Sequence, residues 1–518
     1  MGALDYAVFA AYLAVVLGVG AHCARHQRGA ADYYLAGRSM GWLPIGLSVM
    51  VTAFSGINYA AFAGEVSSQG LYVLLSVPLF AAVAVPVIRI IIPFYHALQV
   101  ANAYQYLERR FGPEVRRLAG GLFLLWRLTW IALVLYVPAR MLATVTGLDA
   151  DTLILLAGAV ATLYTLAGGM RAVMWTDVAQ FAVLAGGLVL GIAVTAAATP
   201  GGLSGVVELA AAQGLTRPFY PFDAQILSPD PRLRISLWSA WIGTGVAFLG
   251  RYGADQAVVQ RYFTARSPDQ ARKGFHLNWI AATLALLALA LLGLSVHAHA
   301  VRAGGGPVGP PIAQFAAFVR DLPAGATGLL VAGLVAATMS SVDSGINSCA
   351  AVLSSELWPG ADRRDGLGRS RLLSLAIGAV ATLAALRAGS LGTLFEVANR
   401  VINGLGSPLL ALFLLGMFSR RANRRGVLVG GAAGAIASVW VSFAVTEIAL
   451  HYNAVVNLLV TLVLGYGLSL LENRLWGPPP AAALAWTWAA VRQGAPGASL
   501  PGGMPPPGQR PRRANGAL

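Results

Sequence analysis

Long apolar stretches separated by short polar loops run along the chain from its first residues to about residue 471. Most reach the roughly 20 residues that an α-helix needs to cross the ~30 Å hydrocarbon core of a bilayer. The pattern predicts about thirteen spanning helices, near residues 4–21, 42–64, 70–96, 117–145, 150–167, 171–198, 235–262, 275–300, 325–357, 370–388, 391–418, 426–447 and 452–471. The predicted fold class is therefore an all-α polytopic membrane protein.

Several predicted spans carry Gly, Ser, Thr and Asn where a simple membrane anchor would carry Leu and Ile. Such interruptions are tolerated in lipid only against protein or a water-lined cavity. Residues 47–59 and 243–253 are of this kind, and they begin two inverted sets of five helices if the first span stands outside the repeat. We expect a transmembrane domain over residues 1–474, with an inverted-repeat core at about 42–418. The Pro-rich residues 475–518 are expected to be a disordered cytoplasmic tail.

Composition agrees with a membrane protein, because 57% hydrophobic and 11% charged residues leave too few charges to cover a soluble protein of 518 residues. The net charge of +15 raises the alternative of a nucleic-acid binder. The basic residues decide against it, since they cluster in alternate loops, for example at 109–117, 261–273, 363–371 and 420–425. This positive-inside bias predicts a plasma-membrane protein with its N-terminus outside and its C-terminus in the cytoplasm. The expected surroundings are the lipid bilayer, and nucleic acid is not an expected partner.

The most informative stretch is residues 336–348, where one side of the predicted helix carries small residues and hydroxyls: Ala337, Ser340, Ser341, Ser344 and Ser348. Serine hydroxyls, together with carbonyls freed by a broken helix, supply the neutral oxygens that a hard monovalent cation binds. Such a set offers no basic acceptor for a proton near neutral pH, so it favours sodium. The alternative is small-residue helix packing, with each hydroxyl bonded to its own backbone.

Three acidic residues lie within predicted spans, where a charge is costly and therefore suggests function. Asp177 lies in the cytoplasmic third of its span, Asp343 lies beside the serines, and Asp255 lies nearer the inner surface. A salt bridge or a helix cap is at least as good an interpretation of Asp255.

Four segments, taken in order and spacing, resemble the sodium/solute symporter family: residues 32–38, 167–180, 255–261 and 336–348. The resemblance covers nearly the whole chain up to about residue 471. It implies a LeuT-like core, a 5+5 inverted repeat with flanking helices. It also implies sodium-coupled import of a small organic solute by alternating access, with Na⁺ as the bound ion and no enzymatic activity.

The resemblance further implies particular ion ligands. A main sodium site would be formed by three backbone carbonyls and two hydroxyls, those of Val51, Phe54, Ala337, Ser340 and Ser341. Some members have a second sodium site, which would correspond here to Asp177, Ser340, Asp343 and Ser344. Asp343 departs from the family pattern, since those members carry a hydroxyl at its position.

The solute is less constrained by the resemblance. The polar contacts of the sugar carriers correspond to Ile57, Asn58 and Val77, so a hexose is disfavoured. Residues 100–111 and 406–413 look closer to the monocarboxylate, vitamin and iodide branch. The guanidinium of Arg127 could hold a substrate carboxylate in two parallel bonds, although it could instead reach the inner surface or pair with an acidic residue. Asn58 and Asn403 complete the candidate substrate-binding residues.

Three alternatives to a sodium symporter remain open from the residues. The chain could be a proton-coupled carrier, or a sensor that has kept a transporter body and signals through a partner. A membrane enzyme is disfavoured, because the sequence has no clustered nucleophile and base and no His/Glu metal motif. No metal beyond sodium is expected.

Overall fold

The computed structural model describes residues 1–25, 27, 29–221, 223–233, 235–306, 308–358, 366–388, 394–445 and 450–494, except for the side chains of residues 31, 394–403 and 450–451. Within these residues the fold is all-helical, with a single isolated bridge between Met40 and Ala265 in place of any sheet. The predicted fold class is confirmed.

The α-helices are, in chain order, α1 Ala3–Ala24, α2 Ala30–Leu35, α3 Trp42–Ala53, α4 Gly56–Gln69, α5 Val77–Pro86, α6 Ile92–Leu98, α7 Tyr104–Phe111, α8 Pro113–Thr146, α9 Ala150–Ala198, α10 Gly202–Ala212, α11 Thr244–Gly253, α12 Gln256–Thr264, α13 Pro268–Arg302, α14 Pro311–Arg320, α15 Ala326–Leu357, α16 Gly366–Ala388, α17 Leu394–Phe418, α18 Arg424–Ala444, α19 Leu450–Trp476, α20 Ala481–Leu484 and α21 Trp488–Arg492. Short 3₁₀ or π segments occupy Ala36–Arg38, Gly70–Ser76, Val87–Ile91 and Ser239–Gly243.

Nine helical stretches of the described chain are long and apolar enough to cross a membrane. Each of the thirteen predicted segments falls largely on helical backbone, while the number that cross the bilayer stays a prediction. The boundary predicted between residues 167 and 171 coincides with a break inside α9 at Gly169, whose φ of 55° lies in the left-handed region. A side chain there would also lie 2.6 Å from the carbonyl oxygen of Tyr33, so the break needs glycine.

Helix α15 lies at the centre of the described chain and is the one that carries the serine stripe. Over its most apolar 18-residue window, 94% of the residues are buried, against 28% for the corresponding window of α9. It packs against α1, α3, α8 and α9. A spanning helix with almost no exposed face contacts protein rather than lipid. Buried hydroxyls are tolerated in this setting, because neighbouring protein groups can hydrogen-bond to them.

Helices α18 and α19 pack closely through small residues. A Cβ added to any of three glycines of α18 would lie 2.2–2.3 Å from an atom of α19, and these glycines are Gly426, Gly430 and Gly434, opposite Ser469, Gly465 and Thr461. Such close backbone approach is typical of helix pairs in membranes, where small residues mark the contact.

The first part of the predicted Pro-rich tail contains helical segments. Residues 475–494 include the end of α19 and helices α20 and α21. Trp486, Trp488 and Val491 pack against the main hydrophobic core, and the guanidinium of Arg109 lies 4.8 Å from the ring centre of Trp486. Burial of these apolar side chains stabilises the segment, although its composition is rich in proline. Residues 495–518 lie outside the described residues.

Candidate functional site

A break in the helical backbone separates α3 from α4. Phe54 and Ser55 both have extended backbone angles, with ψ of 101° and 164°. The hydroxyl of Ser55 accepts a hydrogen bond from the backbone N–H of Asn58 at 3.4 Å and so caps the start of α4. A Cβ at Gly56 would lie 2.3 Å from Oγ1 of Thr338. Glycine therefore lets the break lie directly against α15.

The structure joins three of the five predicted main sodium ligands by hydrogen bonds. The hydroxyl of Ser340 contacts the carbonyl oxygens of Val51 at 3.2 Å and of Ala337 at 3.0 Å. The same Val51 carbonyl accepts the backbone N–H of Phe54 at 3.1 Å. Oxygens from α15 thus meet the carboxyl end of α3, where helical carbonyls lack their usual partners.

Ser341, the fifth predicted ligand, is fully buried. Its hydroxyl has no hydrogen-bond partner among the described residues. Buried polar groups are normally satisfied, and a lone one calls for a bound ion, a water or a functional role. The oxygen types and this unsatisfied hydroxyl fit a sodium ion as the transported ligand.

The residues of the predicted second cation site also lie together, and all are buried. The hydroxyl of Ser344 donates to Oδ1 of Asp343 at 3.1 Å, and the hydroxyl of Tyr164 donates to Oδ2 of the same carboxylate at 2.6 Å. Oδ2 of Asp177 accepts the hydroxyl of Ser48 at 2.5 Å. The cluster therefore holds two carboxylates surrounded by hydroxyls from α3, α9 and α15.

A guanidinium that the sequence did not single out lies within this cluster. Nη2 of Arg261 donates to Oδ2 of Asp177 at 3.1 Å and to the hydroxyl of Ser344 at 2.6 Å, and Nε donates to the hydroxyl of Ser48 at 2.6 Å. The conspicuous motif at residues 255–261 contained Arg261, but sequence alone gave no sign that α12 would bring it to Asp177.

A cavity of about 390 Å³ opens beside the helix break. Asn58, one of the predicted substrate-binding residues, is among the residues that line it. Its walls are largely aromatic and aliphatic, and its charged lining residues are Arg251 and Glu65, the latter accepting the hydroxyl of Tyr72 at 2.6 Å. Apolar walls with a few polar groups are typical of small-molecule sites.

Arg251 of α11 links this cavity to the broken helix. Its Nη1 donates to the carbonyl oxygen of Ala53, the last residue of α3, at 2.8 Å. Within the described part of the chain it forms no ion pair. The signal in the sequence is Gly250-Arg-Tyr-Gly253, in which a charge is flanked by glycines inside an apolar span.

Arg127 lies elsewhere, in a buried ion pair with Asp255. Its side chain is 5% exposed and that of Asp255 is 2% exposed, and Arg127 does not line the cavity. Oδ1 of Asp255 accepts the backbone N–H of Ala257 at 2.9 Å and caps α12. Arg127 is thus paired with an acidic residue, the alternative considered for it, and Asp255 forms a salt bridge and also caps a helix. The side chain of Asn403 lies outside the described residues.

Comparisons with known proteins agree with this architecture. Residues 33–434 match the model of the sodium:solute symporter family. The sodium-dependent multivitamin transporter of Oryctolagus cuniculus is 32% identical over 457 residues, covering 85% of this chain and 70% of that protein. The human sodium-coupled monocarboxylate transporter 1 is 29% identical over 451 residues, covering 84% and 73% of the two chains.

A solved structure shares the fold. It shows a Na⁺-coupled sialic acid symporter in a substrate-bound outward-open state and matches this chain with a TM-score of 0.83. The match covers 92% of this chain and 99% of that one at 24% identity.

Proposed function

This chain belongs to the sodium:solute symporter family, and from that premise we propose that it imports a small carboxylate-bearing solute together with sodium. It is a multi-pass, sodium-coupled membrane transporter and not an enzyme. Its placement in the plasma membrane, with the N-terminus outside and the C-terminus in the cytoplasm, follows from the positive-inside bias and is part of the proposal.

The main sodium ion binds between α3 and α15, with the carbonyls of Val51, Phe54 and Ala337 and the hydroxyls of Ser340 and Ser341 as ligands. The hydrogen bonds from Ser340 to Val51 and Ala337 and the partnerless hydroxyl of Ser341 support this assignment. An ion held by both helices ties the broken helix to α15. Its release on the cytoplasmic side removes that tie, which is how sodium biases alternating access.

The solute binds in the cavity beside the break, and the observation that carries this proposal is the position of Arg251. Its guanidinium lines the cavity, contacts the end of α3 and forms no ion pair within the described part of the chain. A guanidinium fork matches the geometry of a carboxylate and binds it through two parallel hydrogen bonds. Arg251 thereby takes the role that the sequence had suggested for Arg127.

The rest of the cavity sets the size and character of the solute. Asn58 adds an amide that can donate or accept, and the rings of Phe80, Trp130 and Phe248 give apolar contact. The solute is therefore expected to combine one carboxylate with a compact, largely apolar body. A monocarboxylate carrier and a sialic acid symporter among the similar proteins support an acidic solute.

Purified protein tests the proposal in two steps. A thermal-shift screen compares propionate and lactate with propionamide and lactamide, each in sodium chloride and in choline chloride. We expect the acids to stabilise the protein in sodium chloride, and we expect no stabilisation by the amides. Sodium-driven uptake of the stabilising acid into proteoliposomes is then measured. Equal stabilisation by acids and amides would contradict the proposal that the solute binds through a carboxylate. Uptake that is unchanged in choline chloride would contradict sodium as the coupling ion.

A further inference from the structure

The guanidinium of Arg261 has the surroundings of a bound cation. Its three nitrogens donate to four oxygens: Nε to Ser48, Nη1 to the carbonyl of Ala257, and Nη2 to Asp177 and Ser344. Hydroxyl, carbonyl and carboxylate oxygens are the groups that a hard metal ion binds. The side chain of Arg261 is 1% exposed and that of Asp177 is not exposed at all, so water is largely excluded from this contact.

The oxygens come from different helices. Ser48 lies on α3, Asp177 on α9 and Ser344 on α15, whereas Arg261 is on α12. Ser344 is also hydrogen-bonded to Thr52 of α3, with 3.0 Å between the two hydroxyl oxygens. The positive charge therefore joins the helices that build the proposed sodium site, as an ion bound at this point would.

We propose that Arg261 is a built-in cation that takes the place of a second sodium ion, so that the protein binds and moves one sodium ion per transport cycle. A guanidinium remains charged under all ordinary conditions. Because it is part of the chain, it stays in place when the transporter opens to the cytoplasm. It holds the oxygens of the three helices together electrostatically, as a bound ion would, but it is not transported.

The position of Arg261 also disfavours a second free cation. Ser344 lies one helical turn from Ser340 and Ser341, and Ser48 lies one turn from Val51, so the guanidinium is a close neighbour of the main sodium site. Asp343 interacts electrostatically with both Asp177 and Arg261. A second sodium ion would have to share the oxygens that already bind this guanidinium, because the carboxylate of Asp343 accepts the hydroxyls of Tyr164 and Ser344. Like charges held together in a buried site repel.

This inference rests on the proposed sodium site, and counting bound sodium tests the two separately. Purified full-length protein is titrated with ²²Na⁺ alone in a scintillation proximity assay, with choline as the replacement cation. The wild type is expected to bind one ion per chain with a non-cooperative curve. Arg261→Met frees the oxygens of Ser48, Asp177 and Ser344, so this variant is expected to bind two.

The matched control is Arg127→Met, which removes another buried guanidinium from another buried carboxylate, Asp255. Within the described part of the chain, the contacts of that carboxylate are with Arg127 and the backbone N–H of Ala257 rather than with hydroxyls, so one bound ion is expected. In the double variant Arg261→Met with Asp177→Asn, the count should return to one. Size-exclusion profiles and retention of the first ion establish that each variant is folded.

Two results would overturn the built-in cation: two ions bound to the wild type, or a folded Arg261→Met variant that still binds one. If Arg261→Met does not fold, the wild-type count decides alone. No bound ion in the wild type, or a ²²Na⁺ affinity unaffected by Ser341→Ala, would instead contradict the main sodium site.

Discussion

The hydroxyl of Ser340 lies 3.2 Å from the carbonyl oxygen of Val51 and so connects the central helix α15 to the carboxyl end of α3. The two residues are 289 positions apart, and the break after Ala53 is what leaves this carbonyl available to a partner outside its own helix. A sodium ion bound beside this contact would strengthen a link that the folded chain already makes.

Replacing Ser341 with alanine should weaken sodium binding without lowering stability. Its hydroxyl has no hydrogen-bond partner among the described residues, so its loss leaves no protein group unsatisfied. We expect the sodium concentration for half-maximal uptake to rise about tenfold or more, equivalent to roughly 1.4 kcal/mol. The melting temperature in choline should not fall. If a correctly inserted variant shows the same dependence of uptake on sodium concentration as the wild type, the assignment of Ser341 as a sodium ligand is refuted.

Replacing Arg251 with glutamine should remove the preference for a carboxylate. A hydrogen bond to a charged group contributes about 1.5–3 kcal/mol, so KM for the transported acid should rise about tenfold to a hundredfold. Discrimination between the acid and its amide should fall in parallel. Arg251→Lys keeps the charge but loses the fork, and we expect partial retention. An unaltered acid-to-amide ratio in Arg251→Gln would show that the carboxylate binds elsewhere.

Breaking the buried pair of Arg127 and Asp255 should affect stability more than specificity. Removing one partner leaves an unpaired buried charge, which costs about 3–5 kcal/mol. Arg127→Met should therefore lower the melting temperature strongly, and the double change with Asp255→Asn should recover most of the loss. Thermal unfolding of both single variants and the double variant measures the coupling. If the folded double variant no longer discriminates between the acid and its amide, Arg127 contributes to solute binding.

Adding a methyl group at Gly56 should disrupt the contact between the helix break and α15. The new Cβ would lie 2.3 Å from Oγ1 of Thr338 and 3.0 Å from the carbonyl oxygen of Leu334. Overpacking of this kind costs about 1–3 kcal/mol, and we expect a lower melting temperature together with weaker sodium binding. Gly121→Ala is the matched control, since a Cβ there meets nothing within 4 Å. Equal effects of the two changes would mean that the close approach is unimportant.

Much of the fold followed from local patterns in the sequence. Apolar length predicted the helical segments, and the small residues at 47–59 pointed to the break between α3 and α4. The serine stripe on α15 identified a buried helix, because lipid gives hydroxyls no partners. Each of these inferences depends on a few neighbouring residues, which a single sequence displays directly.

The candidate site could be predicted only in part, because the partner of a buried charge depends on packing between distant segments. Arg127 and Arg251 look alike in the sequence, since each interrupts an apolar span. Folding places Asp255, 128 residues away along the chain, against Arg127, while Arg251 faces the cavity. The same holds for Arg261, whose contact with Asp177 joins residues 84 positions apart.

The close contact between α18 and α19 restricts how these helices can change through evolution. At Gly426, Gly430 and Gly434 even a single methyl group would overlap an atom of the facing helix. A larger residue at any of these positions would require compensating changes on both helices. A single substitution of one of these glycines is therefore not expected to be tolerated.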